Sequence, residues 1–320
     1  MIFEAAATAG GVWAMRRLAH RAILRGLRAP RLAHAKGPSE QGIAADRVRE
    51  VRIPGPRGRQ LFGWLVSPPA AAERPAPAVL AMHGWGANAA MMWPVVPPLH
   101  VAGFAVLLID ARCHGRSDDE AFTSMPRFAE DIAAGLAWLR QQPDVAADRV
   151  ALLGHSVGAA AALLHASRHH DVRAVVSLSA FAHPREVMRR FMAEKRVPYP
   201  VLGWYVLRHV QRVIGVSFDD IAPLATLSRV RCPTLLVHGR TDSTVPVDDA
   251  QRLLAVSGRA RLLLVDGDHD LREALAPHSK SLVDFLRASC ALPAAVMPAD
   301  VTAGKLTSKV GVQITDCHGT

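Results

Sequence analysis

Ser156, Asp242 and His269 are the residues whose types and spacing could carry out nucleophilic chemistry. Ser156 is the centre of Gly154-His155-Ser156-Val157-Gly158. This pentapeptide follows a short apolar run of strand-like composition, 149–153, and opens a stretch of helix formers, 157–164. A serine on so sharp a strand-to-helix turn is held in a strained backbone conformation with its hydroxyl pushed outward. Flanking glycines are needed there because a Cβ at either place would collide with neighbouring chain. A hydroxyl is a poor nucleophile at neutral pH, so it requires a base and an acid that orients the base. Asp242 lies in the loop after a strand at 234–237. The loop after the preceding strand, 177–182, holds no carboxylate, and Asp248 and Asp249 read as capping charge for the next helix. His269 sits in a turn just past the final strand, where Gly267 gives the chain room to reach the serine. His155 reads as pointing away from the serine, and His83, His114 and His238 read as braces for loops.

Attack on a carbonyl also needs two N–H groups aimed at the developing negative charge. One is expected from the backbone of Val157, directly after the serine. The other is expected from Trp85, in the glycine-rich loop His83-Gly84-Trp85-Gly86-Ala87-Asn88 after a strand at 78–82.

The elements that must hold these residues follow from periodicity. Buried-type strands at 78–82, 104–109, 149–153, 173–178, 234–237 and 261–265 alternate with helices near 127–140, 157–168, 248–256 and 271–286. Such alternation predicts an α/β fold, a mostly parallel sheet flanked by helices. Two strands at 48–53 and 60–66, joined by a Pro/Gly turn, predict an antiparallel edge. Residues of about 181–230 break the alternation and predict a helical cap inserted after the sixth strand. Met188, Phe191, Met192, Trp204 and Tyr205 in that cap are expected to bind substrate. The domain proper is expected at 45–288, with a loosely structured C-terminal tail at 289–320.

A formal charge of +10 suggests nucleic acid until it is localised. Residues 1–59 alone carry +8, leaving +2 for the rest, so a basic groove across the main domain is not expected. Residues 1–44 read as a basic N-terminal helical segment. For 13–32 three readings stay open: a leader packed on the domain, a helix lying on an anionic membrane, or a targeting segment. No apolar run approaches the length of a bilayer span, so a soluble, cytoplasmic body is expected, with peripheral contact with anionic membrane through 13–32 only under the second of these readings. The four cysteines, Cys113, Cys232, Cys290 and Cys317, show neither disulfide nor metal-ligand spacing. No cofactor or metal is expected.

With these motifs in order, the chain resembles the α/β-hydrolase superfamily, and within it bacterial lipase-like and serine-aminopeptidase-like hydrolases. The resemblance rests on His83-Gly84-Trp85-Gly86, on Asp110-Ala111-Arg112-Cys113-His114-Gly115-Arg116-Ser117 and on Gly154-His155-Ser156-Val157-Gly158, with the triad in the order Ser, Asp, His. Cys113 stands where the second motif usually has glycine. The resemblance implies acyl transfer to water through an acyl-enzyme, with Ser156 as nucleophile, His269 as base and Asp242 as orienting acid. Three functions remain open: hydrolysis of a small-molecule carboxylic ester or thioester, amidase or aminopeptidase activity with the same triad, and a non-catalytic hydrolase-like binding protein.

Overall fold

A computed structural model describes residues 2–290 apart from 36 and 71, and the side chains of 2–12, 39 and 41 are not described. The expected tail and Cys317 lie outside the described residues. Eight strands form one sheet: β1 (Val48–Pro54), β2 (Gln60–Val66), β3 (Ala76–Met82), β4 (Ala105–Ile109), β5 (Val145–His155), β6 (Val175–Leu178), β7 (Thr234–Gly239) and β8 (Ala260–Val265). Their spatial order is β1-β2-β4-β3-β5-β6-β7-β8. The β1–β2 and β2–β4 pairs are antiparallel and the rest parallel, as the sequence pattern predicts.

Strand residues alternate between two cores. Ala78, Leu80 and Met82 of β3 face one, while Val79 and Ala81 face the other; Leu107 and Leu108 of β4 divide the same way. The central strands are buried along their whole length, which is why they read as continuous apolar runs rather than as alternating ones.

The helices are α1 (Ile2–Gly26), α2 (Val96–Val101), α3 (Met125–Leu139), α4 (Val157–His169), α5 (Pro184–Glu194), α6 (Trp204–Ile214), α7 (Phe218–Ile221), α8 (Pro223–Leu227), α9 (Val247–Ala255) and α10 (Ser279–Ser289). The α5–α8 group is the insertion after β6. The expected helix at 271–286 starts only at Ser279. Residues 271–275 form turns, and Ala276–His278, with Pro277 inside, form a 3-10 helical turn before it.

Ile23 and Leu27 pack on the core, and His20 Nδ1 lies 2.9 Å from His209 Nε2 of α6. Trp13, Met15 and Leu18 of the same helix stay exposed. Among the described residues no helix is long and apolar enough to cross a membrane.

Candidate active site

Ser156 occupies the bend between β5 and α4 with φ +53° and ψ −116°, a conformation L-residues rarely adopt. The bend is fixed from both sides. Ser156 N–H donates to Leu178 O of β6 at 2.8 Å, and Ala160 N–H donates to Ser156 O at 3.0 Å. A Cβ at Gly154 would overlap the backbone of Gly158, and one at Gly158 would overlap the carbonyl oxygens of Met82 and His83. The chain therefore tolerates only glycine there, as the sequence argument requires.

The three chemistry-bearing residues come together. His269 Nε2 lies 3.1 Å from Ser156 Oγ, and His269 Nδ1 lies 2.8 Å from Asp242 Oδ2. The loops carrying the acid and the imidazole are tied to each other: Arg240 N–H donates to Val265 O at 2.9 Å and Thr241 Oγ1 to Gly267 O at 2.8 Å. Asp242 Oδ1 accepts the N–H groups of Val245 at 2.7 Å and Thr244 at 2.9 Å. Burial opposes ionisation of Asp242, but its hydrogen bonds from His269 and Val245 prevail and hold the carboxyl below the usual range. An ionised Asp242 must accept from Nδ1–H, which leaves the Nε2 lone pair facing the serine hydroxyl.

His155 departs from expectation. Its ring is turned toward His269, with centroids 5.0 Å apart, and its Nε2 lies 2.8 Å from His269 O. Burial, reinforced by the neighbouring imidazole, holds its pKa below the ordinary value, so the neutral ring donates from Nε2 to that carbonyl. The other motif histidines do brace loops: His83 accepts from Ala111 N–H at 3.0 Å, and His114 accepts from Gly86 N–H at 3.2 Å.

Trp85 and Ser156 line one cavity of about 260 Å³. Gly84 packs against the elbow so closely that a Cβ there would lie 3.2 Å from Ser156 Cβ. Among the described residues, neither Trp85 N–H nor Val157 N–H donates to another protein group, so both remain available to a substrate oxygen. Cys113, in the place of the usual glycine, takes φ +67° and keeps the turn in the left-handed region.

The cap residues do not meet the serine. Met188, Phe191, Met192, Trp204 and Tyr205 are all absent from the lining of this cavity. The reason is local packing. Met192 is buried, Met188 packs on the core, and Tyr205 lies 5.7 Å from His209, whereas Phe191 and Trp204 point to solvent at 59 % and 55 % exposure. The walls come instead from Leu32, the stretch from Met91 to Val95, Leu178 at the end of β6, and the turns from Leu271 to Leu275. Two sequence signals mark them: the Pro-interrupted apolar stretch after the glycine loop, and Pro277 inside the expected helix.

Two of the carboxylates near the cap are ion-paired. Glu186 pairs with Arg252 at 2.8 Å and Asp219 with Arg185 at 3.1 Å. Asp270, on the cavity wall, is held by Arg272.

The chain belongs to the α/β-hydrolase superfamily. Residues 73–214 match the family described as serine aminopeptidase, S33. The protein Rv2307c of Mycobacterium tuberculosis is 30% identical over 217 residues, covering 68% of this chain and 70% of that one. Esterase YjfP of Escherichia coli is 23% identical over 239 residues, covering 67% of this chain and 90% of its own length. Among solved structures, esterase Pf2001 of Pyrococcus furiosus shares the fold with a TM-score of 0.63 at 22% identity, over 81% of this chain and 98% of that one. Est1E of Butyrivibrio proteoclasticus, solved with ferulic acid, superposes with a TM-score of 0.61 at 21% identity, over 75% and 99%.

Proposed function

We propose that this chain is a serine hydrolase of small-molecule carboxylic esters, thioesters included. The observation that carries the reading is the continuous hydrogen-bonded series from Asp242 through His269 to Ser156, opening onto an apolar cavity. In this reading Ser156 Oγ attacks the ester carbonyl while His269 Nε2 takes its proton. Asp242 holds the imidazole in the required tautomer and balances its positive charge. The N–H groups of Val157 and Trp85 bind the oxyanion, each contributing about 3 kcal/mol to the transition state. His269 returns its proton to the leaving alcohol or thiol, and an acyl-Ser156 ester forms. The same imidazole then activates a water that releases the acid.

Ester chemistry is favoured over capture of an amino terminus because the carboxylate on the cavity wall, Asp270, is already paired with Arg272. A substrate ammonium would have to break that pair. The amidase reading rests on the family match to serine aminopeptidase. A panel of p-nitrophenyl esters from acetyl to dodecanoyl, run beside aminoacyl-naphthylamides, separates the two. Turnover of the esters is the expected result. Turnover of the amides alone would transfer the assignment to an aminopeptidase.

A further inference from the structure

The chain between α1 and β1 crosses the loops that hold the active site. Its ties begin at Leu27, whose carbonyl accepts Thr123 N–H at 3.0 Å, and continue at Arg28, which donates to Ala121 O at 3.1 Å. Arg31 donates to Gly115 O at 2.6 Å and Ser117 O at 2.9 Å and pairs with Asp119 at 2.6 Å. Asn88 Nδ2 donates to Leu32 O at 3.0 Å and to Ala33 O at 3.1 Å. His34 Nε2 meets the Asp110 carboxylate at 2.9 Å and 3.2 Å. Pro30 covers Gly86, where a Cβ would lie 3.3 Å from the ring.

These ties converge on the glycine loop. Asp110 also accepts the N–H groups of Ala89 and Arg116, each at 2.7 Å, so one buried carboxylate holds the strap, the end of the glycine loop and the turn after β4. Burial works against the charge on Asp110, but the hydrogen bond from His34 and those backbone donors bring its pKa below the ordinary value. The backbone on both sides of Leu32 is thereby fixed, and its side chain lines the cavity together with Trp85, Met91 and Leu271. It is 50% exposed, so it stands at the cavity mouth rather than in the core.

We infer that residues 27–34 form a strap belonging to the substrate site, and that Leu32 sets the length of acyl chain the enzyme accepts. The inference rests on the ester-hydrolase reading of Ser156. The strap holds Leu32 against the glycine loop, so a chain extending past the reacting carbonyl meets its isobutyl group. A smaller residue widens the mouth so that a longer chain can pass, and a larger one narrows it. One methylene in an apolar pocket is worth about tenfold or more in kcat/KM. A half-exposed leucine at the mouth should act at the low end of that range.

The test uses the full chain and compares the parent with Leu32→Ala and Leu32→Trp on the p-nitrophenyl ester series. For Leu32→Ala the ratio of kcat/KM for octanoyl over acetyl ester should rise about tenfold, mainly through KM. For Leu32→Trp it should fall by a similar factor. A merely structural role would scale all esters alike and leave the ratio unchanged. Equal ratios in all three proteins, with the parent active, would overturn the strap inference alone. A parent that neither turns over esters nor reacts with alkyl fluorophosphonates would overturn the hydrolase reading and this inference together.

Discussion

Asp242→Asn separates the tautomer of His269 from the packing around it. The Oδ1 atom of Asp242 accepts two backbone N–H groups, at 2.7 Å and 2.9 Å. An amide in this place must leave its oxygen there, because the opposite orientation would set donors against donors. Its NH₂ group then takes the position of Oδ2, which lies 2.8 Å from His269 Nδ1. A ring nitrogen facing an amide NH₂ must accept, so the imidazole proton moves to Nε2. From there it faces Ser156 Oγ at 3.1 Å, and the ring can no longer take the hydroxyl proton. The expected loss in kcat is on the order of 10⁴, or about 5 kcal/mol of transition-state stabilisation. KM should change little, since Asp242 does not line the cavity. The fold should hold, because the shape and both backbone hydrogen bonds persist. Steady-state hydrolysis of p-nitrophenyl butyrate, with urea unfolding of each protein as control, measures both effects. A folded Asp242→Asn variant retaining kcat within about tenfold of the parent would refute the tautomer argument and the assignment of the acid.

Two further outcomes are expected. His155→Phe keeps the ring packed near His269 but removes the donor to His269 O, a hydrogen bond worth about 1 kcal/mol, so kcat should fall about fivefold with KM nearly unchanged. An unaltered kcat would show that the carbonyl needs no such support. Burial pushes His83 down to about 3 from its ordinary 6.5, and it also lowers His114 and His155. These depressed groups favour the folded state above the ordinary histidine value, and that contribution drains away as pH falls from 6.5 toward 3, because the unfolded chain takes up the protons first. His83 alone should cost about 1.4 kcal/mol per pH unit in that window, with the other two adding the same sign. Urea titrations between pH 7 and 4 should show a steadily falling unfolding free energy. A flat profile would mean that these rings are solvated or charged in the native protein.

The candidate site was legible because each of its three residues stands near a strand end marked by glycine. Gly154 and Gly158 admit no side chain, and Gly239 lets the acid loop touch the backbone of Gly267 and Asp268 in the imidazole loop. A pattern of glycines forced by backbone contact survives in sequence as a motif. The cavity walls leave no such trace. Leu32, Met91, Leu178 and Leu275 converge from four separate segments, and apolar composition shows that a residue is covered without showing by what. The same ambiguity placed the cap residues at the substrate, although α5 and α6 bury Met192, Leu207 and Val210 in the core on one face of the sheet. The strap carries no periodicity because its contacts are backbone carbonyls and single side chains, made to the glycine loop and to the segment after β4. Cys113 shows the converse. Its turn needs a left-handed residue, and the surrounding hydrogen bonds, including Cys113 N–H to Asp118 O at 3.0 Å, hold it there without glycine.

Covalent capture of the nucleophile tests the central claim most directly. The full-length protein is treated with a fluorophosphonate, and the adduct is located by peptide mass spectrometry in the parent and in Ser156→Ala. A single phosphonyl group on Ser156, absent from the variant together with ester turnover, is the expected result. Labelling at another residue, or equal labelling of both proteins, would contradict the proposed chemistry.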